Sequence, residues 1–111
     1  MFNKMGSDGY KTAMEGIKIK TVAHGEKTLM AEFHLAKGAD LPEHSHPHEQ
    51  TGYLISGRLV LIIDKERHMA EPGDAWCISG DIPHSAEILE DSVVIEVFSP
   101  VREDLLPFKE T

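Results

Sequence analysis

The chain of 111 residues has a single cysteine, Cys77, so no disulfide framework can hold it together within one chain. A lone thiol suits a reducing compartment. It lies in the apolar run Ala75-Trp76-Cys77-Ile78 with no base beside it, and is therefore expected to be a small buried thiol rather than a nucleophile. No run of 18 apolar residues occurs, and Met1-Phe2-Asn3-Lys4-Met5-Gly6-Ser7-Asp8 turns polar at once, so neither a membrane helix nor a secretory signal is expected. The expected location is the cytoplasm. Positive charge is scarce: 11 Lys and Arg stand against 19 Asp and Glu, giving a formal charge of −8. A nucleic-acid binder needs a basic stripe, which argues against such a partner. There is no repeat, no low-complexity segment, no coiled-coil heptad and no helix-turn-helix partner of the kind that makes a sugar-sensing regulator.

What is present is the punctuation of an all-β protein. Ile17-Lys18-Ile19-Lys20-Thr21-Val22 and Ala31-Glu32-Phe33-His34-Leu35 alternate apolar and polar, as half-buried strands do. Leu59 to Ile63 is a continuous apolar run, and Val93-Val94-Ile95-Glu96-Val97-Phe98 is rich in β-branched residues. Turns are expected at Lys37-Gly38-Ala39-Asp40, Ser56-Gly57-Arg58, Asp64-Lys65-Glu66-Arg67, Glu71-Pro72-Gly73-Asp74 and Glu90-Asp91-Ser92. Short strands at this spacing indicate a sandwich or barrel. The only helical expectation is a turn near Arg102 to Leu106. One domain over residues 1–111 is expected, burying roughly two thirds of its unfolded surface. Residues 1–10, with Gly6, Ser7 and Gly9, should be loose or exchanged with a partner subunit. Apolar strand faces then favour a homodimer.

Chemistry concentrates in His44-Ser45-His46-Pro47-His48-Glu49-Gln50. Side chains two apart on a strand share a face, so His44 and His46 can share one divalent ion. Gln50 lies four residues beyond His46 and stays on that face if the chain remains extended past Pro47; its amide oxygen can coordinate. His84 arrives from a second extended segment, after the turn-rich Ser79-Gly80-Asp81-Ile82-Pro83. His48 follows Pro47, which dislocates local geometry. With the isolated His24, His34 and His68 it is expected to be an ordinary residue.

The spacing Gly38, five residues, His44-x-His46, three residues, Gln50, six residues, Gly57 resembles the first cupin motif, with Gln where Glu is usual. Gly73, five residues, Ser79-Gly80-Asp81, two residues, His84 resembles the second, although Ser79, Asp81 and Ile88 replace its usual Pro, Gly and Asn. The resemblance implies the cupin fold, a double-stranded β-helix or jelly-roll barrel, and leaves the chemistry open.

Glu96 is the most telling residue outside the motifs. A carboxylate amid Val94-Ile95-Glu96-Val97-Phe98 must face solvent or a polar cavity, and period two puts Phe98 on its face. In a partly desolvated cavity its pKa would rise and it could donate a proton. The histidine run, followed by Val97-Phe98-Ser99-Pro100-Val101-Arg102-Glu103-Asp104, is similar to the small KdgF-type cupins of pectin and alginate breakdown. Those enzymes convert 4,5-unsaturated monouronates into linear keto sugars without redox chemistry. The resemblance implies a metal held by His44, His46, Gln50 and His84, and an acid, an aromatic and an arginine at Glu96, Phe98 and Arg102. The family carries Asp at the position of Glu96, one methylene shorter.

A neutral Gln leaves the ion its full charge, suiting an anionic sugar-acid substrate, with Arg102 expected to pair with its carboxylate. An imidazole-rich set suits one divalent transition metal: Zn, Ni, Fe, Mn or Co. Two other classes share these ligands, namely a metal-dependent dioxygenase of a small organic substrate and a non-catalytic metal- or sugar-binding barrel. Only the catalytic readings have a use for Glu96 and Arg102 in one cavity.

Overall fold

The computed structural model describes residues 1–106 as strands and a single 3-10 turn. The strands are β1 (Lys11–Met14), β2 (Ile17–His24), β3 (Leu29–Leu35), β4 (Asp40–His44), β5 (Glu49–Ile63), β6 (Glu66–Ala70), β7 (Ala75–Ile78) and β8 (His84–Ser99), and the 3-10 turn is Glu103–Leu105. All pairings are antiparallel, with β1-β2-β3-β8-β5-β6 in order, β4 added to β8 and β7 to β5.

Two long strands make this one sheet into two facing layers. The first half of β5 pairs with the second half of β8, flanked by β7 and β3. The second half of β5 pairs with the first half of β8, flanked by β6 and β4. Ile17, Leu35 and Leu54 from one layer pack with Leu59, Leu61, Ala86 and Ile88 from the other. Leu29, Ala31 and Phe98 form a second buried cluster beneath residues 101–106.

The corner explains two departures from expectation. Ser56-Gly57-Arg58 and Glu90-Asp91-Ser92 are not turns between strands; they are bends inside β5 and β8. Register slips around residues 54–59, and the inward positions of β5 change from Gln50, Gly52 and Leu54 to Leu59 and Leu61, so an extra residue switches the parity. Gly57 sits there at φ +96°, and a Cβ would stand 2.2 Å from Ser92 Oγ and 2.4 Å from the Asp91 carbonyl oxygen. Only glycine fits.

Elsewhere the turns fall as expected. Asp64 and Lys65, at φ 49° and 69°, form the two-residue link of the β5–β6 hairpin, the mirror-image turn that matches strand twist. Cys77 does not lie buried: β7 follows period two, turning Trp76 and Ile78 inward and Ala75 and Cys77 outward, so an unbroken apolar run misstated its burial. Residues 1–9 belong to no strand but lie along β2, where Asn3 Nδ2 donates to the Val22 carbonyl at 2.9 Å and Lys20 Nζ to that of Gly6 at 2.9 Å.

Candidate metal centre and acid pocket

Three backbone devices bring the histidines together. His44 ends β4 and is the register partner of His84, which begins β8, putting their rings 4.3 Å apart. His46 lies in the link between β4 and β5, where its carbonyl accepts the Asp81 N–H at 2.7 Å. Gly80 packs so tightly on the Pro47 carbonyl that a Cβ would come within 2.4 Å of its oxygen. The loop before His84 is thus braced against the loop carrying His46. Ligand atoms of His44, His46 and His84 all lie within 4.8 Å of one another.

Each ring is aimed by its other nitrogen. The Nδ1–H groups of His44, His46 and His84 donate to the carbonyls of Pro42, His48 and Ile82 at 2.9, 3.1 and 2.8 Å. A carbonyl only accepts, so Nδ1 carries the proton and Nε2 is left as a lone pair. Burial holds the pKa of His46 and His84 below the usual histidine value, keeping them neutral as ligands must be.

Gln50 reaches the centre by a different route from the one expected. The chain does not stay extended past Pro47: β4 ends at His44 and β5 begins at Glu49. Gln50 points inward from β5 between Ile78 of β7 and Phe98 of β8. Its Nε2 donates to Glu96 Oε2, which turns Oε1 toward His46 Nε2, 2.8 Å away. Two acceptors at that separation repel unless a cation lies against both. Buried His84 Nε2 likewise has no partner among the described residues. Three imidazole nitrogens and an amide oxygen, all with free lone pairs on one side, fit a divalent transition metal.

Glu96 faces the cavity. It is 4% exposed and accepts from Gln50 Nε2 on one oxygen and from Trp76 Nε1 at 2.8 Å on the other. Burial outweighs these donors and nearby Arg102, pushing its pKa up to about 7. Phe98 is buried on the same face of β8, and the Arg102 guanidinium lies 4.7 Å over its ring. Arg102 donates from Nε and Nη2 to Asp104 at 3.2 and 2.7 Å, leaving its remaining N–H groups for a ligand. His44, Gln50, His84, Glu96, Phe98 and Arg102 line one cavity with an apolar floor that includes Leu59, Leu61 and Val94.

Residues 31–99 match the Cupin_2 cupin-domain family. The chain belongs to the cupin family. This cupin is 35% identical over 94 residues to the pectin degradation protein KdgF of Dickeya dadantii, spanning 83% of the chain and 86% of that protein. The structure of KdgF from a Halomonas species superposes with a TM-score of 0.90 at 32% identity, covering 96% of this chain and 98% of that one. A salicylate 1,2-dioxygenase from Pseudoaminobacter salicylatoxidans shares the fold, with a TM-score of 0.75 at 14% identity over 80% of this cupin and 26% of that chain.

Every residue singled out from the sequence as a ligand or reacting group lies in this region, while His24, His34 and His68 stay outside the three-histidine cluster. His48 is also outside it, although its carbonyl orients His46 and its ring lies 5.4 Å from that of His46. Sequence reasoning missed Trp76 and Asp104. The register of β7 on β5 is the signal for the first, and the two-residue spacing from Arg102 for the second. Among the described residues no helix is long and apolar enough to cross a membrane.

Proposed function

We propose that this cupin is a metal-dependent isomerase that turns 4,5-unsaturated monouronates into their linear keto forms. The observation that carries the reading is the presence of Glu96 and Arg102 in one cavity with the His44, His46, Gln50 and His84 set. A storage or sensing barrel needs the ligands alone. The likeness to KdgF of Dickeya dadantii, a pectin degradation protein, points to the same substrate class.

A divalent ion held by these four residues would supply a Lewis acid for an anionic, oxygen-rich substrate. Arg102 binds the carboxylate from the other side, its guanidinium fixed by Phe98 and Asp104. Phe98 walls the sugar ring. Opening of the ring breaks the bond from C1 to the ring oxygen, the C1 hydroxyl losing its proton to become an aldehyde and the ring oxygen gaining one as a C5 enol. Glu96 gives its proton to C4 while the enol hydroxyl loses one, leaving a ketone and no net change in composition. Neither oxygen nor an electron acceptor is consumed. The working unit is a cytoplasmic homodimer, for which sedimentation at micromolar concentration should show a species of twice the 12.3 kDa chain mass.

The test is loss of alkene absorbance from a 4,5-unsaturated monouronate, with Ni, Zn, Mn, Co or Fe supplied in turn. Acceleration over buffer, undiminished without oxygen, supports the isomerase. No acceleration with any ion removes the uronate reading, and turnover only in air favours a dioxygenase.

A further inference from the structure

Two neighbouring rows of inward residues cross the layer formed by β7, β5, β8 and β3. One reads Ile78, Gln50, Phe98 and Leu29; the next reads Trp76, Gly52, Glu96 and Ala31. The second is unusual because its two large polar side chains flank a residue with no side chain. A Cβ on Gly52 would lie 2.1 Å from Glu96 Oε1, 2.2 Å from Trp76 Nε1 and 2.3 Å from Trp76 Cε2. The indole N–H and the carboxyl oxygen therefore meet directly over the Gly52 backbone, at 2.8 Å. On the far flank Ala31, the register partner of Glu96 on β3, is fully buried.

We propose that Trp76 is a positioning residue for the Glu96 carboxyl, and that Gly52 is kept bare so that the two can meet. The proposal rests on the isomerase reading for its kinetic part and on geometry alone for the rest. With Gln50 on Oε2 and Trp76 on Oε1, each carboxyl oxygen has one donor on a different strand, which fixes rotation about the last side-chain bond. A single donor would leave the carboxyl free to swing. Glu96 has three rotatable side-chain bonds, and placing its proton within reach of one substrate carbon requires that they be locked. Trp76 does this through its N–H, which is spent on Glu96.

Trp76 is the single tryptophan of the chain, so its emission reports on this contact without any assay of turnover. Replacing Glu96→Leu should shift the emission of the metal-free protein, whereas Glu96→Gln, which keeps an acceptor oxygen, should stay near wild type. Identical spectra for all three would overturn the proposal. With metal and an unsaturated monouronate, Trp76→Phe should lower kcat on the order of tenfold, with KM and metal content little changed, as loss of one hydrogen bond to the reacting group implies. The double variant Trp76→Phe/Glu96→Gln should be no slower than Glu96→Gln alone, because Trp76 acts only through that carboxyl. Wild-type kcat in Trp76→Phe, or multiplied losses in the double variant, would overturn it. A wild-type protein inactive on the sugar would remove the isomerase reading, and the emission series would still decide whether the contact exists.

Discussion

Exchanging Gln50 for the Glu usual in the first cupin motif, Gln50→Glu, is the change that most directly tests why this site carries a neutral ligand. The amide nitrogen now donating to Glu96 Oε2 becomes an oxygen, and Gln50 and Glu96 are only 8% and 4% exposed, so water cannot separate them. Two carboxylates at ~3 Å repel by ~5.5 kcal/mol at an effective dielectric constant of ~20. That is worth about 4 pH units, so the pair keeps one proton throughout the neutral range and holds it between its own oxygens. The added charge should tighten metal binding while lowering the ion's power as a Lewis acid. Two measurements follow: slower extraction of metal by a chelator, and turnover reduced by ~10² to 10⁴, the usual worth of a general acid. A fully metal-loaded Gln50→Glu protein turning over at the wild-type rate would refute the reasoning, because the proton of Glu96 would then have no part in the rate.

His44→Ala or His84→Ala should each lose most of the metal, measured as bound ion per chain, since either opens a four-donor set. Unchanged content in both would put the ligand assignment in error. Arg102→Ala should raise KM by ~10- to 100-fold with a smaller change in kcat, as removal of a charged hydrogen bond made equally in ground and transition states implies. Arg102→Lys should not restore it, because an ammonium cannot reproduce the guanidinium fork held by Asp104 over Phe98. Gly57→Ala should destabilise by about 2–3 kcal/mol, combining left-handed strain with the clash against Ser92 and the Asp91 carbonyl. Its melting temperature should drop by roughly 10 °C, and an unchanged value would mean that the corner of β5 can relax.

Strands that bury one face and wet the other were legible because period two shows directly: Ile17 and Ile19 on β2, Leu29, Ala31 and Leu35 on β3, and Val94, Glu96 and Phe98 on β8 all lie inward. Strands without such a contrast were not. β1 is exposed at every position and exists only because it pairs with β2, a tertiary reason that local pattern cannot carry. The long β5 and β8 were cut in two for the same reason that they matter. Gly57 and Glu90-Asp91 read as turn formers, yet here the left-handed glycine and the polar bend let a continuous strand change layers. Propensity for φ > 0 says that the chain turns sharply, but not whether it reverses or merely bends.

The candidate site was legible where chemistry and spacing coincide and illegible where it depends on cross-strand neighbours. His44, His46 and His84 stand out as residue types, and Glu96 stands out because a carboxylate inside a β-branched run needs a reason. Gln50 lines the cavity although the premise of an extended chain fails at Pro47: an even offset along one strand and a fresh start on the next can deliver the same face. Trp76 and Gly52 carry no signal in one dimension, since an aromatic in an apolar run reads as core and a glycine in a strand as a weak point. Only the register that sets Trp76, Gly52 and Glu96 in one row gives both a purpose. The Glu96 carboxyl meets the indole N–H over a bare Gly52, so the long side chain and the absent one belong to a single solution, and shortening Glu96 to Asp or adding a methyl at Gly52 should each break the contact that the pair creates.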